Sequence, residues 1–405
     1  MFQEFTESRY NFEECTKCTI CTAYCPVLQV NPLYPGPKQA GPDGERLRLR
    51  NPSFFDESLK YCLGCKRCEV YCPSEVKVAD LIQSARLRYD NTPPKLRDRI
   101  LASTDCMGKL ARPVAPVVNA VTSMPLAKSA MDVVLKIDRH RSFPRYSMAG
   151  FERWLGRRRK EQAAFPEQVA YYHGCFVNYN YPQLGKDLVK VLNALGVGVQ
   201  MLDKEKCCGI ALIVNRLKKQ ATQNALHNVR QLSMAVDKGL KVVTTSSTCT
   251  LTIREEYPNL LGVDNAAIKD ALLMATRYIY EKLEQGATLP FRADFHKKVA
   301  YHTPCHMQRL GWGFFSQKLL QMIPGLEFTL LDQSCCGIAG TYGFKKENYA
   351  TSQAIGEPLF EQIRSVNPDV VACDCETCKW QIEMSTGYKV ENPVSILAEA
   401  IDSKE

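Results

Sequence analysis

Residues 15–26 read CTKCTICTAYCP, and residues 62–73 read CLGCKRCEVYCP. Both stretches have the spacing C-x2-C-x2-C-x3-C-P, so the second repeats the first. In proteins with two [4Fe-4S] clusters, such a run gives three thiolates to one cluster, and its fourth cysteine reaches the other cluster. The doubled motif therefore predicts one domain that holds two [4Fe-4S] clusters.

The crossed arrangement divides the eight cysteines of these motifs into two ligand sets. Iron in a sulfide cluster is a soft acceptor, and four thiolates complete its coordination. A zinc site would use two C-x2-C pairs without a third cysteine in step, and disulfides would need an oxidising compartment. We assign Cys15, Cys18, Cys21 and Cys72 to the first cluster and Cys62, Cys65, Cys68 and Cys25 to the second.

The composition is that of a globular protein with several domains. The chain has 405 residues, of which 45% are hydrophobic and 23% charged, and this length suits roughly two to four domains. Most of its 19 cysteines stand in groups with ligand spacing, which indicates metal binding in a reducing cytosol. Residues 1–14 are acidic and lack an apolar run, and no stretch is uninterruptedly apolar over about 18 residues. We therefore expect neither a signal peptide nor a transmembrane helix.

Much of the net charge of +9 lies in residues 136–160, where nine lysines and arginines stand against two acidic residues. Large apolar side chains are interspersed among these cations: Phe143, Tyr146, Met148, Phe151, Trp154 and Leu155. This mixture is typical of a segment on an anionic membrane surface, although a solvated basic linker has the same charge. A nucleic-acid site is not favoured, because no recognised binding motif accompanies the stretch. We expect peripheral membrane contact here.

From residue 168 onward the chain repeats itself, and we call the two copies the first and second repeats. Each copy has a short β-branched or aromatic run that leads to a cysteine, then a Cys-Cys-Gly sequence, then another such run that leads to further cysteines. These runs, with helical patterns between them, predict α/β units with parallel strands. Because ligands of such sheets gather beyond the carboxyl ends of the strands, the cysteines of each repeat should converge.

The second repeat offers more thiols than the first. Its candidate ligands are Cys305, Cys335, Cys336, Cys375 and Cys378, with Cys373 nearby, whereas the first repeat offers Cys175, Cys207, Cys208 and Cys249. The first repeat has Ser246 where the second has Cys375, so it either keeps four thiol ligands or binds no stable cluster. The histidines that flank the first cysteines are either hydrogen-bonded structure or proton carriers; they are His173, His302 and His306.

We therefore predict an α+β multidomain fold, in which an α-helical domain with two [4Fe-4S] clusters precedes two similar α/β Cys-Cys-Gly domains. Residues 264–285 have apolar side chains on one helical face, which predicts a helix between the repeats. The predicted divisions are 1–91 for the ferredoxin-type domain, 92–167 for a basic amphipathic connector, 168–263 for the first repeat, 264–297 for the linking helix and 298–405 for the second repeat.

The order of these motifs resembles a known family. A doubled ferredoxin motif followed by two Cys-Cys-Gly repeats is similar to the iron–sulfur subunits of heterodisulfide reductases and of glycolate or lactate oxidases. More narrowly, four stretches resemble the iron–sulfur subunits of anaerobic glycerol-3-phosphate dehydrogenases. They are NPLYPGPKQAGPDGERLRL at 31–49, HGCFVNYNYPQLGKDLVKVLNALG at 173–196, CCGIAGTYGFKKENY at 335–349 and DCETCKWQIEMST at 374–386.

This resemblance implies a non-catalytic electron-transfer subunit. It implies that a flavin-containing partner oxidises glycerol 3-phosphate and that this chain passes the electrons to menaquinone. It also implies a peripheral position on the cytoplasmic face of the inner membrane, together with a further membrane-associated subunit. In such a family the second repeat can hold a non-cubane [4Fe-4S] cluster, which suits its surplus thiols, while Ser246 leaves the cluster of the first repeat open.

Two other functions stay open from the residues alone. The chain could be an enzyme that reduces a disulfide at the cluster of the second repeat, as heterodisulfide reductases do, and it would then turn over without a flavin partner. It could also be a metal-binding scaffold with no redox role.

Overall fold

The computed structural model describes residues 10–402; residues 1–9, with most of the acidic start, and residues 403–405 lie outside this range. Residues 10–91 form only helices and turns, and two four-stranded parallel sheets follow later in the chain. This order confirms the predicted fold class, in which a helical domain precedes two α/β units.

The two cysteine motifs of the N-terminal part fold alike. Both turn through a left-handed backbone conformation at the same position, which is Lys17 in the first motif and Gly64 in the second. Tyr24 and Tyr71, which precede the last cysteine of each motif, stack with ring centroids 3.7 Å apart. The helices around the motifs are Phe12–Glu14, Ile20–Ala23, Gln39–Asp43, Gly44–Arg50, Glu57–Tyr61, Arg67–Val70 and Val78–Tyr89.

The connector is a series of short helices. Two of them, Ala115–Ser123 and Pro125–Val134, pack on each other and form what we call the connector hairpin. Pro125 begins the second helix directly after Met124, since proline fits the first helical position. The other connector helices are Leu96–Ala102, Thr104–Ala111, Arg112–Val114, Phe151–Gly156 and Arg159–Ala163. No helix within residues 10–402 is long and apolar enough to cross a membrane.

The aromatic side chains of the basic stretch do not form the predicted membrane-facing surface. Phe151 and Leu155 are buried, and Phe151 packs edge-on against Tyr171 with ring centroids 5.5 Å apart. Trp154 is half-buried beneath the guanidinium of Arg158. Of the six apolar side chains quoted above, only Met148 is exposed. These rings remove apolar surface from water by packing on the repeats, and membrane contact by the basic connector stays a prediction.

The first repeat folds around four parallel strands, β1 Glu167–Tyr171, β2 Val197–Met201, β3 Lys241–Thr244 and β4 Leu272–Met274, in the order β2-β1-β3-β4. Val169 lies opposite Val199 of β2 and Lys241 of β3. The inner strands are buried on both faces, as in sheets that helices cover on both sides. The helices are Gly174–Tyr179, Pro182–Ala194, Ile210–Val214, Lys218–Val236, Ser247–Leu251, Thr252–Leu261 and Ala266–Lys269.

The second repeat has the strands β5 Lys297–Tyr301, β6 Leu326–Leu330, β7 Val370–Ala372 and β8 Val390–Glu391. They are parallel and lie in the order β6-β5-β7-β8, which is the order of the first sheet. The duplication in the sequence is therefore a duplication of the fold. The helices are Cys305–Leu310, Gly313–Gln321, Tyr342–Phe344, Lys346–Asn348, Tyr349–Val366, Glu376–Thr386 and Pro393–Ala400.

The predicted linking helix over residues 264–297 is interrupted by a strand. The chain forms the helix Ala266–Lys269, then β4, and only then the helix Ala275–Glu284. Leu273 of β4 lies opposite Val243 of β3, and all three residues of β4 are buried. These three apolar residues form their backbone hydrogen bonds with the adjacent strand β3, although their spacing in the sequence also fits one face of a helix. The strand β4 thus belongs to the first sheet.

The two repeats share one apolar core. Helix Pro182–Ala194 packs on helix Pro393–Ala400, and their residues Leu188 and Leu397 are both fully buried. At another point of contact, the amide of Ser247 donates to the carbonyl of Asp374 at 3.0 Å. The helices that follow β3 and β7 therefore begin side by side.

Candidate metal centres

Two small pockets in the N-terminal part are each lined by four cysteines. One pocket brings Cys72 together with the first three cysteines of the first motif, and the other brings Cys25 together with the first three of the second motif. Each helix that carries the third cysteine ends two residues before the fourth, at Ala23 or Val70, so the fourth side chain leaves its own motif. The pockets hold the two crossed sets of the sequence analysis, whose role as iron ligands stays a prediction.

The two pockets differ in exposure. Cys18 of the first pocket is exposed, whereas Cys68 of the second is buried. Burial raises the pKa of Cys25 to about 12 and the pKa of Cys65 to about 11. Such thiols keep their protons until a cation replaces them, so metal binding here releases protons. Four soft sulfur donors around one pocket fit an iron–sulfur cluster.

The four cysteines of the first repeat converge beyond the carboxyl ends of β1, β2 and β3. The Sγ atoms of Cys175 and Cys207 are 3.8 Å apart, and Cys208 is hydrogen-bonded to Cys249. The thiols of Cys175 and Cys208 donate to Cys207 and hold its pKa well below the usual range. The four thiols therefore form one linked series, from Cys175 through Cys207 and Cys208 to Cys249.

The second repeat places its thiols at the equivalent strand ends. The Sγ atoms of Cys336 and Cys378 are 3.2 Å apart. Hydrogen bonds from Cys335 and Cys378 hold the pKa of Cys336 well below the usual range, and a hydrogen bond from Cys378 lowers the pKa of Cys375 to about 7. Cys305 lines the same cavity as these four residues. The second repeat thus gathers five thiols.

A histidine lies directly against this second set. The ligand atoms of His302, Cys373 and Cys378 all lie within 4.8 Å of one another, and all three residues are buried. Burial lowers the pKa of His302 to about 4, so the ring is neutral, and neither ring nitrogen has a hydrogen-bond partner. A buried polar atom without a partner is costly. A cluster bound at Cys378 would give this ring a neighbour, which is a second indication that the residues fit such a group.

Ser246 and Cys375 occupy equivalent positions in the two repeats. Ser246 precedes the helix Ser247–Leu251 after β3, and Cys375 precedes the helix Glu376–Thr386 after β7. The Ser246 hydroxyl accepts a hydrogen bond from the amide of Cys249 at 3.2 Å and donates to the Glu376 carboxylate at 2.9 Å. The first repeat therefore has a capping hydroxyl where the second repeat has a soft sulfur donor.

The two cysteine sets of the repeats face one common cavity of about 350 Å³. Its lining includes the candidate ligands of both repeats and, in addition, Cys65 of the N-terminal part. The two sets are in near contact, since Thr248 Oγ1 lies 3.5 Å from the Sγ of Cys375 and 3.1 Å from the Nδ1 of His306. The repeat pattern predicts convergence within each repeat, but nothing in the sequence places Cys65 at this cavity.

The remaining flanking histidines are engaged by protein groups. Burial alone would lower the pKa of His173, but the carboxylate of Glu205, 2.9 Å from its Nδ1, raises it. Burial lowers the pKa of His306 to about 4, so this ring is neutral. Glu205 also accepts from the amide of Gly174 at 2.6 Å and so fixes the loop after β1. No sequence pattern marks Glu205, and proton transfer by the histidines stays a prediction.

Comparison with known proteins finds family matches in three parts of the chain. Residues 11–76 match the family "4Fe-4S dicluster domain", and residues 169–254 and 299–383 each match the family "Cysteine-rich domain". The fold and the cysteine sets thus define an iron–sulfur protein with one dicluster domain and two cysteine-rich domains.

Relatives that match more than nine-tenths of this chain define its family more closely. Over 96% of its length, the chain is 56% identical to the C subunit of the anaerobic glycerol-3-phosphate dehydrogenase of Escherichia coli K12, 99% of which is covered. It is 25% identical over 96% of its length to the D subunit of the dihydromethanophenazine:CoB–CoM heterodisulfide reductase of Methanosarcina barkeri, with 94% of that protein covered. It is 24% identical over 92% of its length to the B subunit of the fumarate reductase (CoM/CoB) of Methanothermobacter marburgensis, with 67% covered. The chain belongs to the family of anaerobic glycerol-3-phosphate dehydrogenase C subunits.

Proposed function

We propose that this chain is the electron-transfer subunit of an anaerobic glycerol-3-phosphate dehydrogenase and carries electrons from a flavin-containing subunit to the menaquinone pool. The position of Cys65 is the observation that carries the proposal. This residue belongs to the second cysteine pocket of the N-terminal part, and it also lines the cavity between the repeats. A candidate cluster ligand of the dicluster domain thus lies at the cavity between the repeats.

Four cysteine sets are available for the proposed clusters. Two [4Fe-4S] clusters would be held by the crossed sets, and a non-cubane cluster by the five thiols of the second repeat. The four thiols of the first repeat would hold a further cluster if the missing donor at Ser246 is tolerated. Bound there, the clusters would supply one-electron transfer, while the protein positions them and keeps water away from the buried sets.

The different exposures of the two N-terminal pockets indicate where electrons enter the chain and where they leave it. Cys18 is exposed, and the neighbouring side chains Ile20 and Tyr24 are exposed apolar surface. The second pocket is the more buried one, and its Cys65 reaches the inner cavity. We assign the docking of the flavin subunit to the first pocket and the exit of electrons to the cavity between the repeats.

The proposed place of this complex is the cytoplasmic face of the inner membrane, where the chain binds peripherally with a further membrane-associated subunit. The name of the Escherichia coli relative supports glycerol 3-phosphate as the electron source. The absence of a spanning helix within residues 10–402 is compatible with peripheral attachment.

Metal analysis and EPR of the anaerobically purified complex test this proposal. We expect roughly 12–16 irons per chain and, after addition of glycerol 3-phosphate, reduced ferredoxin-type signals with one further atypical signal. The chain purified without its flavin subunit should not respond to glycerol 3-phosphate. About eight irons and ferredoxin-type signals alone would show that the repeats are scaffolds.

One observation favours a second function. Both cysteine sets of the repeats face a single cavity, in which a disulfide substrate could bind between them. The relative from Methanosarcina barkeri is named as part of a heterodisulfide reductase, although it shares only 25% identity. Steady reduction of a disulfide by the isolated chain with reduced viologen would establish this activity. If no disulfide is reduced, electron transfer remains the proposed function.

A further inference from the structure

The connector hairpin is apolar on the side that faces solvent. Seven large apolar side chains between Val114 and Val134 are exposed, and Leu126 at 86% and Val134 at 76% are the most exposed of them. The seven residues are Val114, Val117, Val121, Met124, Leu126, Val133 and Val134. Scattered exposed apolar residues are normal, but such a concentration on one hairpin marks an interaction surface.

The opposite side of the same hairpin forms a wall of the cavity between the repeats. Val118 and Thr122 of the first helix and Met131 of the second line this cavity, together with Leu135 just beyond. The other walls carry the cysteines of both repeats and the aromatic ring of Trp380. The hairpin, one layer of helices thick, therefore separates the cysteine sets from its own exposed apolar face.

The charges near the hairpin favour an anionic lipid surface over an apolar protein partner. Residues 109–136 contain the cations Lys109, Arg112, Lys128 and Lys136 and a single acid, Asp132. That acid is mostly buried and is bound to Lys346 at 2.5 Å. An exposed apolar face in a segment of net positive charge is the pattern of a helix that lies in the headgroup region of an anionic bilayer.

We propose that the connector hairpin lies in the surface of the anionic bilayer and admits the ring of an isoprenoid quinone to the cavity between the repeats. This inference rests on the proposed electron relay and names the site at which the relay ends. The side of the cavity formed by the hairpin is apolar, with Val118, Met131 and Leu135, and it suits a quinone ring beside the clusters that the thiols of the other walls would hold. Glycerol 3-phosphate supplies two electrons and two protons as it becomes dihydroxyacetone phosphate, and the quinone takes up two of each as its two carbonyls become hydroxyls.

A matched pair of variants on one helix tests whether the hairpin forms part of the quinone site. Val118→Trp puts a large ring into the cavity, whereas the neighbouring Val117→Trp puts the same ring on the exposed face. In the assembled complex, we expect the first variant to raise the KM for a short-chain soluble quinone about tenfold and the second to leave it unchanged. Cluster EPR and the reduction of an artificial dye by glycerol 3-phosphate should be the same in both.

Photolabelling provides a readout that is independent of activity. A photoreactive azidoquinone added to the wild-type complex should label peptides from residues 115–135, and Val118→Trp should reduce this labelling. Labelling confined to other parts of the complex, or equal KM values for the two tryptophan variants, would overturn the site. A wild-type complex that reduces no quinone at all would instead overturn the proposed relay.

The bilayer contact is tested with phosphatidylethanolamine–phosphatidylglycerol vesicles. The triple variant Val117→Glu, Leu126→Glu and Val133→Glu should lose binding to these vesicles and yet reduce the soluble quinone as the wild type does. The control Leu226→Glu removes another exposed leucine, on helix Lys218–Val236, and should bind normally. Undiminished vesicle binding by the triple variant would refute the placement of the hairpin in the bilayer.

Discussion

The glycines of the two Cys-Cys-Gly sequences allow a quantitative comparison of the repeats. Gly209 and Gly337 both have left-handed backbone conformations, with φ of +90° and +82°. A methyl group on Gly209 would meet nothing closer than the Cα of Ala221, at 3.7 Å. A methyl group on Gly337 would lie 2.0 Å from the carbonyl oxygen of Ser352, within helix Tyr349–Val366. The same substitution therefore makes ordinary van der Waals contacts in one repeat and clashes with backbone in the other.

These geometries give different free-energy costs for alanine. The left-handed conformation costs a non-glycine residue about 1–2 kcal/mol, and we expect Gly209→Ala to cost this much. Gly337→Ala carries the same strain plus the displacement of a packed helix, which adds about 1–3 kcal/mol or more. The amide of Gly337 also donates to the Sγ of Cys335 at 3.4 Å, so the displacement moves a candidate ligand.

The assay is the iron content, EPR spectrum and apparent melting temperature of each variant, measured side by side at one scan rate. Gly337→Ala should lose the atypical signal of the second repeat while the ferredoxin-type signals persist, and it should melt several degrees below Gly209→Ala, at about 2–4 °C per kcal/mol. Equal melting temperatures and equal cluster content in the two variants would refute the argument from close backbone approach.

Three further changes test other features of the molecule. Lys66→Met should cost about 3–5 kcal/mol in a denaturant titration because it leaves buried carboxylates unpaired, whereas Lys60→Met at an exposed ion pair should cost under about 1 kcal/mol. Ser246→Cys restores the donor that Cys375 provides in the second repeat, so the iron content should rise or the EPR of the first repeat should change. Burial raises the pKa of Glu256 from 4.5 to about 7, so the folded chain holds a proton that the unfolded chain has released. Stability should therefore fall as the pH rises between these values, and Glu256→Gln should flatten that dependence in pH-resolved melting curves.

The parts of the fold that sequence alone could predict are those that local spacing determines. The three-residue steps of the cysteine motifs fix tight turns, so the crossed grouping of Cys25 and Cys72 follows from the spacing. Convergence within each repeat follows because parallel strands end at one edge of a sheet. Local patterns were insufficient where two structures share one pattern, as in β4, whose apolar residues also fit a helical face.

The placement of the connector depended on packing, which composition does not contain. Phe151 has the chemistry of a membrane-interface residue, yet it is buried against the first sheet. The exposed apolar face lies instead on the preceding hairpin, in the charge-free stretch at residues 113–127 and just beyond it. Which of two neighbouring apolar segments becomes core is decided by the surfaces available in the folded repeats.

The docking of the N-terminal part onto the repeats explains why the position of Cys65 could not be read from the motif. Lys66, the next residue, is buried, and its ammonium lies 2.6 Å from Asp80, within the N-terminal part, and 3.6 Å from Glu256 of the first repeat. Buried ion pairs of this kind contribute little net stability, because desolvation offsets the attraction. They do penalise any other docking, in which the charges would be buried without partners. These ion pairs therefore fix the position of the N-terminal part more than they add stability. They hold the backbone beside Cys65 against the first repeat, and this determines where the second pocket meets the cavity.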